Sequence, residues 1–253
     1  MNERQFFDLF LYAWVGLAAI TGISLHFVPA PYGRHQRSGW GPRMNATAGW
    51  ILMEIISPLG MAFYFAAGDR QHNLPARVFL ALWLVHYGYR ALVFPFCRRG
   101  GTREIPFVIV LLAAAFNLGN SYLNGRWLFH FGPPLAASWF GDPRFLGGTA
   151  LFAAGFLIHL HADRTLIRLR KPGDSGYSIP TGGLYQRVSC PNYFGEIVEW
   201  TGFALATWSA PAAAFALWTA ANLVPRALAH HRWYRATFPN YPANRRALVP
   251  YLL

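Results

Sequence analysis

Seven long apolar stretches constrain this chain more than any other feature of its sequence. They lie at about residues 6–27, 46–67, 74–96, 105–123, 145–161, 193–209 and 212–229. A helix needs about 20 apolar residues to cross the hydrocarbon core of a membrane. The sequence therefore predicts an all-α, polytopic membrane bundle of seven transmembrane helices, of which the fifth and sixth are marginal in length. The first stretch is long enough to remain as an anchor, so no cleaved signal peptide is expected.

The positive charges alternate between the two sides of the predicted spans. With Arg226 counted in the C-terminal segment, that segment and the loops after spans one, three and five hold sixteen Lys and Arg residues. With Arg77 counted in the loop after span two, the opposite side holds five. The positive-inside rule then places the N-terminus outside and the C-terminus in the cytoplasm. Topology and contact with anionic lipids explain the formal net charge of +12, so nucleic-acid binding is not expected. Cys97 and Cys190 both fall near the cytoplasmic face, where a disulfide is not expected either.

No repeat or linker divides the chain, so we predict one membrane-embedded domain, residues 1–253. Its first part, 1–123, is mostly aliphatic and aromatic and predicts an apolar cavity. Its last part, 145–253, is rich in Arg, His, Tyr and Asn and predicts a polar, anion-binding site on the cytoplasmic side. The longest loop, 164–191, contains Pro and Gly that break helices and permit tight turns. A lid over a ligand and an ordinary connection are equally compatible with this loop.

Three polar side chains share one face of the sixth predicted span. Asn192, Glu196 and Glu199 follow the spacing i, i+4, i+7, which projects all three from one side of a helix. They could form a seam of hydrogen bonds to neighbouring helices. Ionisable groups at this depth are costly and usually serve a function, so ligand binding is the favoured interpretation.

Glu54 is an isolated carboxyl in the second span, flanked by Met53 and aliphatic residues. Such surroundings favour the protonated form, which makes Glu54 a candidate proton donor near neutral pH. Tyr87, in the third span, carries a phenol that can donate a hydrogen bond to a carbonyl group. Arg90, one helical turn further along, could instead form a structural ion pair with Glu54, and Tyr87 could simply be a packing residue.

Several arginines near the cytoplasmic face have the forked geometry that suits phosphate groups. They are Arg103, Arg170 and Arg226. Contact with lipid headgroups is the alternative role for them. The adjacent His230 and His231 are poorly placed to share a metal ion, and no third ligand has convincing spacing, so no metal is expected. Neither a Gly-x-Gly-x-x-Gly motif after a strand nor a phosphate-binding P-loop occurs.

The run PNYFGEIVEW at 191–200, continued by GFALATWS at 202–209, resembles the C-terminal signature of the steroid 5α-reductase family. Further matching segments are HAD at 161–163, LRKPG at 169–173, GGL at 182–184, HHRWY at 230–234 and RALVP at 246–250. Weaker correspondence extends through YGRH at 32–35, Glu54 and the His86-Tyr87 pair. The similarity thus covers nearly the whole chain and is densest after residue 159.

This resemblance implies a seven-helix, NADPH-dependent reductase of Δ4-3-oxosteroids. Glu54 and Tyr87 would bind the steroid 3-oxo group as catalytic residues, with Met53 beside them in the substrate site. The residues that would bind the cofactor are Arg103, Asp163, Arg170, Tyr177, Asn192, Glu196, Arg226, His230 and Tyr234. Two departures from the family pattern matter. Met53 stands where the family has a glutamine, which affects binding of the substrate. Ser178 stands where the family has a basic residue, which weakens binding of the cofactor 2′-phosphate.

The expected reaction is reduction of the Δ4 double bond by hydride transfer to carbon 5. One alternative is an enoyl reductase that acts on a long-chain acyl thioester. A second is a membrane methyltransferase that uses S-adenosylmethionine, although several arginines with Asn192 and Glu196 suit a dinucleotide better. A third is a non-enzymatic lipid or sterol carrier, which leaves Glu54, Glu196 and Glu199 without a purpose. The partners expected are a steroid or another lipophilic enone and membrane lipid, for a monomeric protein in the bacterial inner membrane or the endoplasmic reticulum.

Overall fold

Helices make up most of the chain in the computed structural model, which describes residues 1–31, 33–98, 104–169 and 176–253. In these ranges the α-helices are α1 (Glu3–Phe27), α2 (Ala46–Ala67), α3 (Leu74–Tyr87), α4 (Phe94–Cys97), α5 (Phe107–Arg126), α6 (Pro143–Leu169), α7 (Pro191–Thr207) and α8 (Ala210–Thr237). π-Helical segments at Gly88–Val93 and Trp127–Phe131 continue α3 and α5. The strands β1 (Arg43–Asn45) and β2 (Glu104–Pro106) pair antiparallel with Met44 opposite Ile105.

Six helical stretches of the described chain are long and apolar enough to cross a membrane. They are Glu3–Phe27, Ala46–Ala67, Leu74–Cys97, Phe107–Phe131, Pro143–Leu169 and Ala210–Thr237. The predicted all-α membrane bundle is therefore confirmed, and the chain is an integral membrane protein. The α7 helix has 17 residues and is shorter than these six. It begins at Pro191 and ends where Trp208 adopts a left-handed backbone conformation.

Two helices extend further at their C-terminal ends than the sequence predicts. The predicted fifth span ended at 161 and its loop began at 164, yet α6 continues to Leu169. The predicted seventh span ended at 229, yet α8 continues to Thr237. Hydropathy marks where a helix leaves the apolar layer, whereas helix propensity continues through the Arg-, Leu- and Ala-rich residues that follow. Asp163, His230 and Tyr234 consequently project from rigid helices instead of loops.

Close contact between α6 and α7 depends on glycines that face the opposite backbone. A Cβ atom at Gly195 would lie only 2.6 Å from the backbone nitrogen of His159, and one at Gly155 would lie 2.6 Å from the Gly195 carbonyl oxygen. Gly148 and Gly202 face the partner backbone in the same way, each about two turns away along its helix. Small residues let membrane helices approach this closely. The contact places the polar residues of α6 directly against Glu196 and Glu199 on α7.

An aromatic cluster fills the centre of the bundle and fixes the end of α3. Trp83 is fully buried, and its indole N–H donates to the Ser57 hydroxyl at 3.1 Å. The Trp83 ring contacts Trp200 on α7 at 5.2 Å and Phe215 on α8 at 5.4 Å between ring centroids. Contacts with α2, α7 and α8 thus hold the Trp83 ring in place. The Tyr87 ring stacks on this fixed ring, with centroids 5.4 Å apart.

The C-terminal segment holds the approach to α7. The Ser189 and Cys190 amides donate to the carbonyl oxygens of Arg246 and Ala247 at 2.9 and 3.1 Å. The Arg245 guanidinium donates to the Pro180 carbonyl oxygen at 3.0 Å. These bonds tie the segment 180–190 to the end of the chain and fix where α7 begins.

Candidate active site

A pocket of about 260 Å³ lies at the end of the bundle where α6 and α8 extend and α7 begins. Six of the predicted cofactor-binding residues line it: Asp163, Tyr177, Asn192, Arg226, His230 and Tyr234. These residues come from α6, the following loop, α7 and α8, so the fold brings together positions up to 71 residues apart in sequence. Two other predicted residues, Arg103 and Arg170, lie outside the described residues.

The pocket is strongly basic, because four arginines line it. They are Arg34, Arg90, Arg98 and Arg226. Arg34 packs over the rings of Tyr177, Trp233 and Tyr234 at 4.5–5.1 Å, and its guanidinium donates to the Tyr234 hydroxyl at 3.3 Å. Its Nη1 is buried and has no hydrogen-bond acceptor among the described residues. A guanidinium held in this way is a site for an anionic ligand, such as a phosphate group.

Arg34 was not among the predicted site residues, although the run at 32–35 had been noted as a weak match. Its position in a loop before the second span gave no periodicity that could mark it. The neighbouring His35 was missed for the same reason.

His230 links the loop after α1 to α7 and α8. Its Nδ1 lies 3.0 Å from His35 Nε2, and its Nε2 lies 3.1 Å from the Tyr193 hydroxyl. Burial lowers the pKa of His35, and the charges of Arg34 and Arg226 lower it further. His35 is therefore neutral near pH 7 and can share a single hydrogen atom with His230.

Glu54 and Glu196 meet at the same guanidinium. Arg90 Nε lies 3.7 Å from Glu54 Oε1, and Arg90 Nη2 lies 3.7 Å from Glu196 Oε1. The alternative of a Glu54–Arg90 ion pair is thus observed, but as part of a three-membered group. Arg90 also lines the pocket and so connects the basic pocket with the interior carboxyl of Glu54.

The π-helical segment Gly88–Val93 sets the direction of Arg90. A π-helical turn contains one residue more than an α-helical turn and often occurs at functional sites. The Arg90 carbonyl oxygen accepts a hydrogen bond from the Trp50 indole N–H at 3.1 Å, and the Arg90 guanidinium stacks over the Trp50 ring at 4.7 Å. Trp50 therefore holds both the backbone and the charged group of Arg90.

Tyr87 and Met53 are both buried, with 4% and 6% of their surface exposed. Met53 packs in an apolar cluster with Ala46, Ile105 and Val110, while its carbonyl oxygen accepts from the Asn117 amide at 2.6 Å. Neither residue lines the basic pocket. Tyr87 instead packs in the aromatic cluster against Trp83 and Trp200.

A chain of buried ionisable groups runs beside this site. His86 Nδ1 and Glu199 Oε1 are 2.8 Å apart, Glu199 Oε2 and His159 Nδ1 are 3.7 Å apart, and His159 Nε2 and Asp163 Oδ2 are 3.1 Å apart. The ligand atoms of His86, His159 and Glu199 all lie within 4.8 Å of one another, close enough to hold a metal ion. Neither histidine was predicted as a site residue, because no motif joins positions on three different helices.

Asn192, Glu196 and Glu199 lie on the same side of α7, as their spacing predicted. They reach different surroundings, however. Asn192 lines the pocket, Glu196 contacts Arg90, and Glu199 is fully buried between His86 and His159. Together the residues form a basic pocket and a central Arg90 that contacts Glu54 and Glu196.

Comparison with known proteins places this site in a family. The family profile described as 3-oxo-5-alpha-steroid 4-dehydrogenase matches residues 103–253. A 3-oxo-5-alpha-steroid 4-dehydrogenase 1 from Bos taurus is 42% identical over 258 residues, which cover 100% of this chain and 99% of the relative. The corresponding protein from Mus musculus is 44% identical over 100% of this chain and 99% of its own. A steroid 5-alpha-reductase DET2 from Gossypium hirsutum is 39% identical over 99% of both chains.

Both the family match over more than half of the chain and the full-length similarity lead to the same assignment. The chain belongs to the 3-oxo-5-alpha-steroid 4-dehydrogenase family, whose members are oxidoreductases that act on a carbon–carbon bond of 3-oxo-steroids.

Proposed function

We propose that this protein reduces the Δ4 double bond of a 3-oxo-Δ4-steroid, with hydride transfer from NADPH to carbon 5. The observation that carries the proposal is the shared guanidinium of Arg90, which lies between Glu54 and Glu196 and also lines the basic pocket. A cofactor bound in that pocket would have its reactive end near Glu196. A substrate in the interior would meet Glu54 and Tyr87 from the other side.

The residues of the pocket suit a dinucleotide with several phosphates. Four arginines supply positive charge, and the buried Nη1 of Arg34 is a donor still available to an anion. Asn192 and Glu196 offer amide and carboxyl groups that match the carboxamide of a nicotinamide. We assign the remaining contacts to Asp163, Tyr177, Arg226, His230 and Tyr234, together with Arg103 and Arg170. The exposed Ser178 adds no positive charge for a 2′-phosphate, so binding of that phosphate depends on the arginines.

When bound, the reduced nicotinamide supplies the hydride, and the protein supplies orientation and charge stabilisation. Arg90 contacts the carboxyls of both Glu54 and Glu196. We assign the protonated form to Glu54, which lies in the apolar half of the bundle. Glu54 and Tyr87 then donate hydrogen bonds to the 3-oxo oxygen and stabilise the negative charge that develops there. Arg90 holds Glu196 at the cofactor.

The proposed arrangement in the membrane has seven crossings, with the N-terminus outside and the C-terminus in the cytoplasm. The six long apolar stretches and the shorter α7, which packs between α6 and α8, supply the seven helices. Residues 1–123 would line the steroid cavity, and residues 145–253 would form the cofactor site within one domain. The pocket then opens toward the side that holds most Lys and Arg. That orientation gives the pocket access to cytoplasmic NADPH in a bacterial inner membrane or the endoplasmic reticulum.

The same two donors could stabilise the enolate of an enoyl thioester. The relatives named above are described as acting on steroids, which favours the steroid as the substrate class. A methyltransferase or a lipid carrier would have no use for the Glu54–Tyr87 donors.

The test is reduction of testosterone or progesterone by the detergent-purified protein with NADPH, with the product identified by mass spectrometry. We expect a 5α-dihydro product, and we expect Glu54→Gln to lower kcat by roughly 100- to 1000-fold, the usual effect of removing one oxyanion donor. Glu3→Gln is the matched control, because Glu3 pairs with Arg126 near the N-terminal end of α1. Turnover by Glu54→Gln at the wild-type rate would refute the assigned role of Glu54.

A further inference from the structure

The reduction proposed above consumes one proton from solution in each turnover. When a reduced nicotinamide is bound, its hydride would supply both electrons of the new bond at carbon 5. One of the donors at the 3-oxo group would give its proton to the enolate oxygen, and the enol would become the ketone with a net gain of one proton at carbon 4. The donor must then be reprotonated before the next turnover. The donors at the 3-oxo group lie in the interior, where Tyr87 has only 4% of its surface exposed. A route for protons is therefore required.

The chain of buried groups beside the site begins at the pocket. Asp163 lines the pocket and accepts a hydrogen bond from the Tyr89 hydroxyl at 3.4 Å. Its other contact is His159 Nε2 at 3.1 Å. His159 is fully buried on α6, one helical turn before Asp163. Asp163 can thus exchange protons with the pocket and pass them to His159.

The chain continues from His159 through Glu199 to His86. Glu199 Oε2 faces His159 Nδ1 at 3.7 Å, and Glu199 Oε1 lies 2.8 Å from His86 Nδ1. His86 is adjacent to Tyr87 in sequence, and their rings meet edge to face with centroids 4.9 Å apart. The interior end of the chain therefore lies beside the ring of Tyr87, one of the two proposed oxyanion donors.

The gap between His159 and Glu199 is formed by two atoms without partners. His159 Nδ1 and Glu199 Oε2 are both buried and have no hydrogen bond among the described residues. An unsatisfied buried polar atom is destabilising, so two such atoms that face each other are set to share a proton. A movement of well under one ångström would close a hydrogen bond between them.

A parallel connection through Arg90 cannot conduct protons. His159 Nε2 lies 3.7 Å from Glu196 Oε1, and Arg90 joins Glu196 to Glu54. A guanidinium does not give up its proton in proteins, whereas histidine and glutamate both can. The Arg90 connection is thus electrostatic, and the histidine–glutamate chain is the one suited to proton transfer.

The short contact within the chain also argues against a metal ion. Two ligands of a tetrahedral zinc ion, each about 2.0–2.2 Å from the metal, are separated by more than about 3.2 Å. His86 Nδ1 and Glu199 Oε1 are only 2.8 Å apart, which is the distance of a direct hydrogen bond.

We propose that Asp163, His159, Glu199 and His86 form a proton relay that carries protons from the pocket to the Glu54–Tyr87 donors. This role rests on the proposed function, because the relay serves the protonation of carbon 4. A purely structural network would hold the same helices together without limiting the rate of proton delivery.

The experiment compares the wild-type protein with Glu199→Gln, which keeps the size of the side chain but removes the carboxyl. We expect kcat to fall by about tenfold or more, in the range of an acid–base contribution, while the Kd for NADPH stays within twofold. We also expect the solvent deuterium isotope effect on kcat to rise and the effect of deuterated NADPH to fall, because proton delivery becomes slower than hydride transfer. Glu199→Asp keeps an ionisable group and should recover part of the rate.

Glu3→Gln is the matched control for neutralising a glutamate and should leave both isotope effects unchanged. If Glu199→Gln does not bind NADPH, His159→Gln interrupts the same relay on another helix and must give the same isotope pattern. A fall in kcat without any change in the two isotope effects, or a parallel loss of NADPH affinity in both variants, would show a structural role instead. Stoichiometric zinc in the purified protein that both variants lose would also overturn the relay.

Steroid turnover by the wild-type protein separates this inference from the proposed function. Absence of any dihydrosteroid from the wild-type protein would refute the proposed function and remove the reaction that the relay serves. Normal wild-type turnover with unaltered isotope effects in the variants would refute the relay alone.

Discussion

Replacing Gly155 by alanine tests the contact that brings the two halves of the site together. The added Cβ would lie 2.6 Å from the Gly195 carbonyl oxygen and 2.7 Å from Glu199 Cα, whereas ordinary contacts begin at 3.4 Å. Because the obstruction is backbone, the helices α6 and α7 must separate by about 0.7 Å or more, the difference between 3.4 and 2.7 Å. The 3.7 Å distances from His159 to Glu196 and Glu199 would lengthen by a similar amount.

Overpacking of this kind costs about 1–3 kcal/mol. A change of 1 kcal/mol shifts the unfolding midpoint of a chain of 150–250 residues by about 2–4 °C, so Gly155→Ala should lower Tm by several degrees. We also expect lower kcat, since Glu196 and Glu199 move away from their partners. The assay is thermal unfolding in detergent, followed by steroid turnover at a temperature where the variant remains folded.

Gly147→Ala is the matched control, because it lies on the same helix and its Cβ would meet only Leu205 Cδ2 at 3.9 Å. Alanine favours a helix over glycine by about 1 kcal/mol, so this control should be neutral or slightly stabilised. Equal Tm values for the two variants would refute the close approach of α6 and α7.

Three further predictions concern the substrate, the cofactor and the orientation. Met53→Gln restores a polar side chain beside Glu54 and should lower the KM for a 3-oxo-steroid by up to about tenfold, the effect of one added hydrogen bond, with little change in kcat; an unchanged KM would show that residue 53 does not contact the substrate. Asn192→Ala should raise the Kd for NADPH by about fivefold or more, since it removes hydrogen bonds of about 1 kcal/mol each, and fluorescence titration measures this; an unaltered Kd would exclude Asn192 from the cofactor site. A membrane-impermeant maleimide should label the exposed Cys97 in inverted vesicles but not in right-side-out vesicles, and should leave Cys190 unlabelled, because burial raises the pKa of the Cys190 thiol to about 12; labelling of Cys97 from the outside would contradict the proposed orientation.

Much of the membrane architecture can be predicted from individual segments of the sequence. Each apolar stretch must form a helix in lipid because its backbone polar groups have no other partners there, so span positions can be read one by one. The second span, predicted at 46–67, coincides with α2. The spacing of Asn192, Glu196 and Glu199 likewise predicts a shared face, because helical periodicity depends only on neighbours along the chain.

The ends of helices were harder to predict. The predicted fifth span ends at 161, two residues before Asp163, yet six more residues of α6 follow Asp163. Hydropathy reports the boundary of the apolar layer, and α6 and α8 continue beyond that boundary as polar helices. The extra turns form a wall of the pocket, and this wall positions His230 and Tyr234.

The pairings inside the site required the tertiary structure. Arg90, in the π-helical segment, contacts Glu54 on α2 and Glu196 on α7, so this group joins residues from three separate segments. The contact of Glu199 with His86 joins residues 113 positions apart, and His159 takes part only because glycines let two backbones touch. A sequence lists which ionisable groups are available, but the energy of burying them depends on distances across the bundle, and helix packing sets those distances.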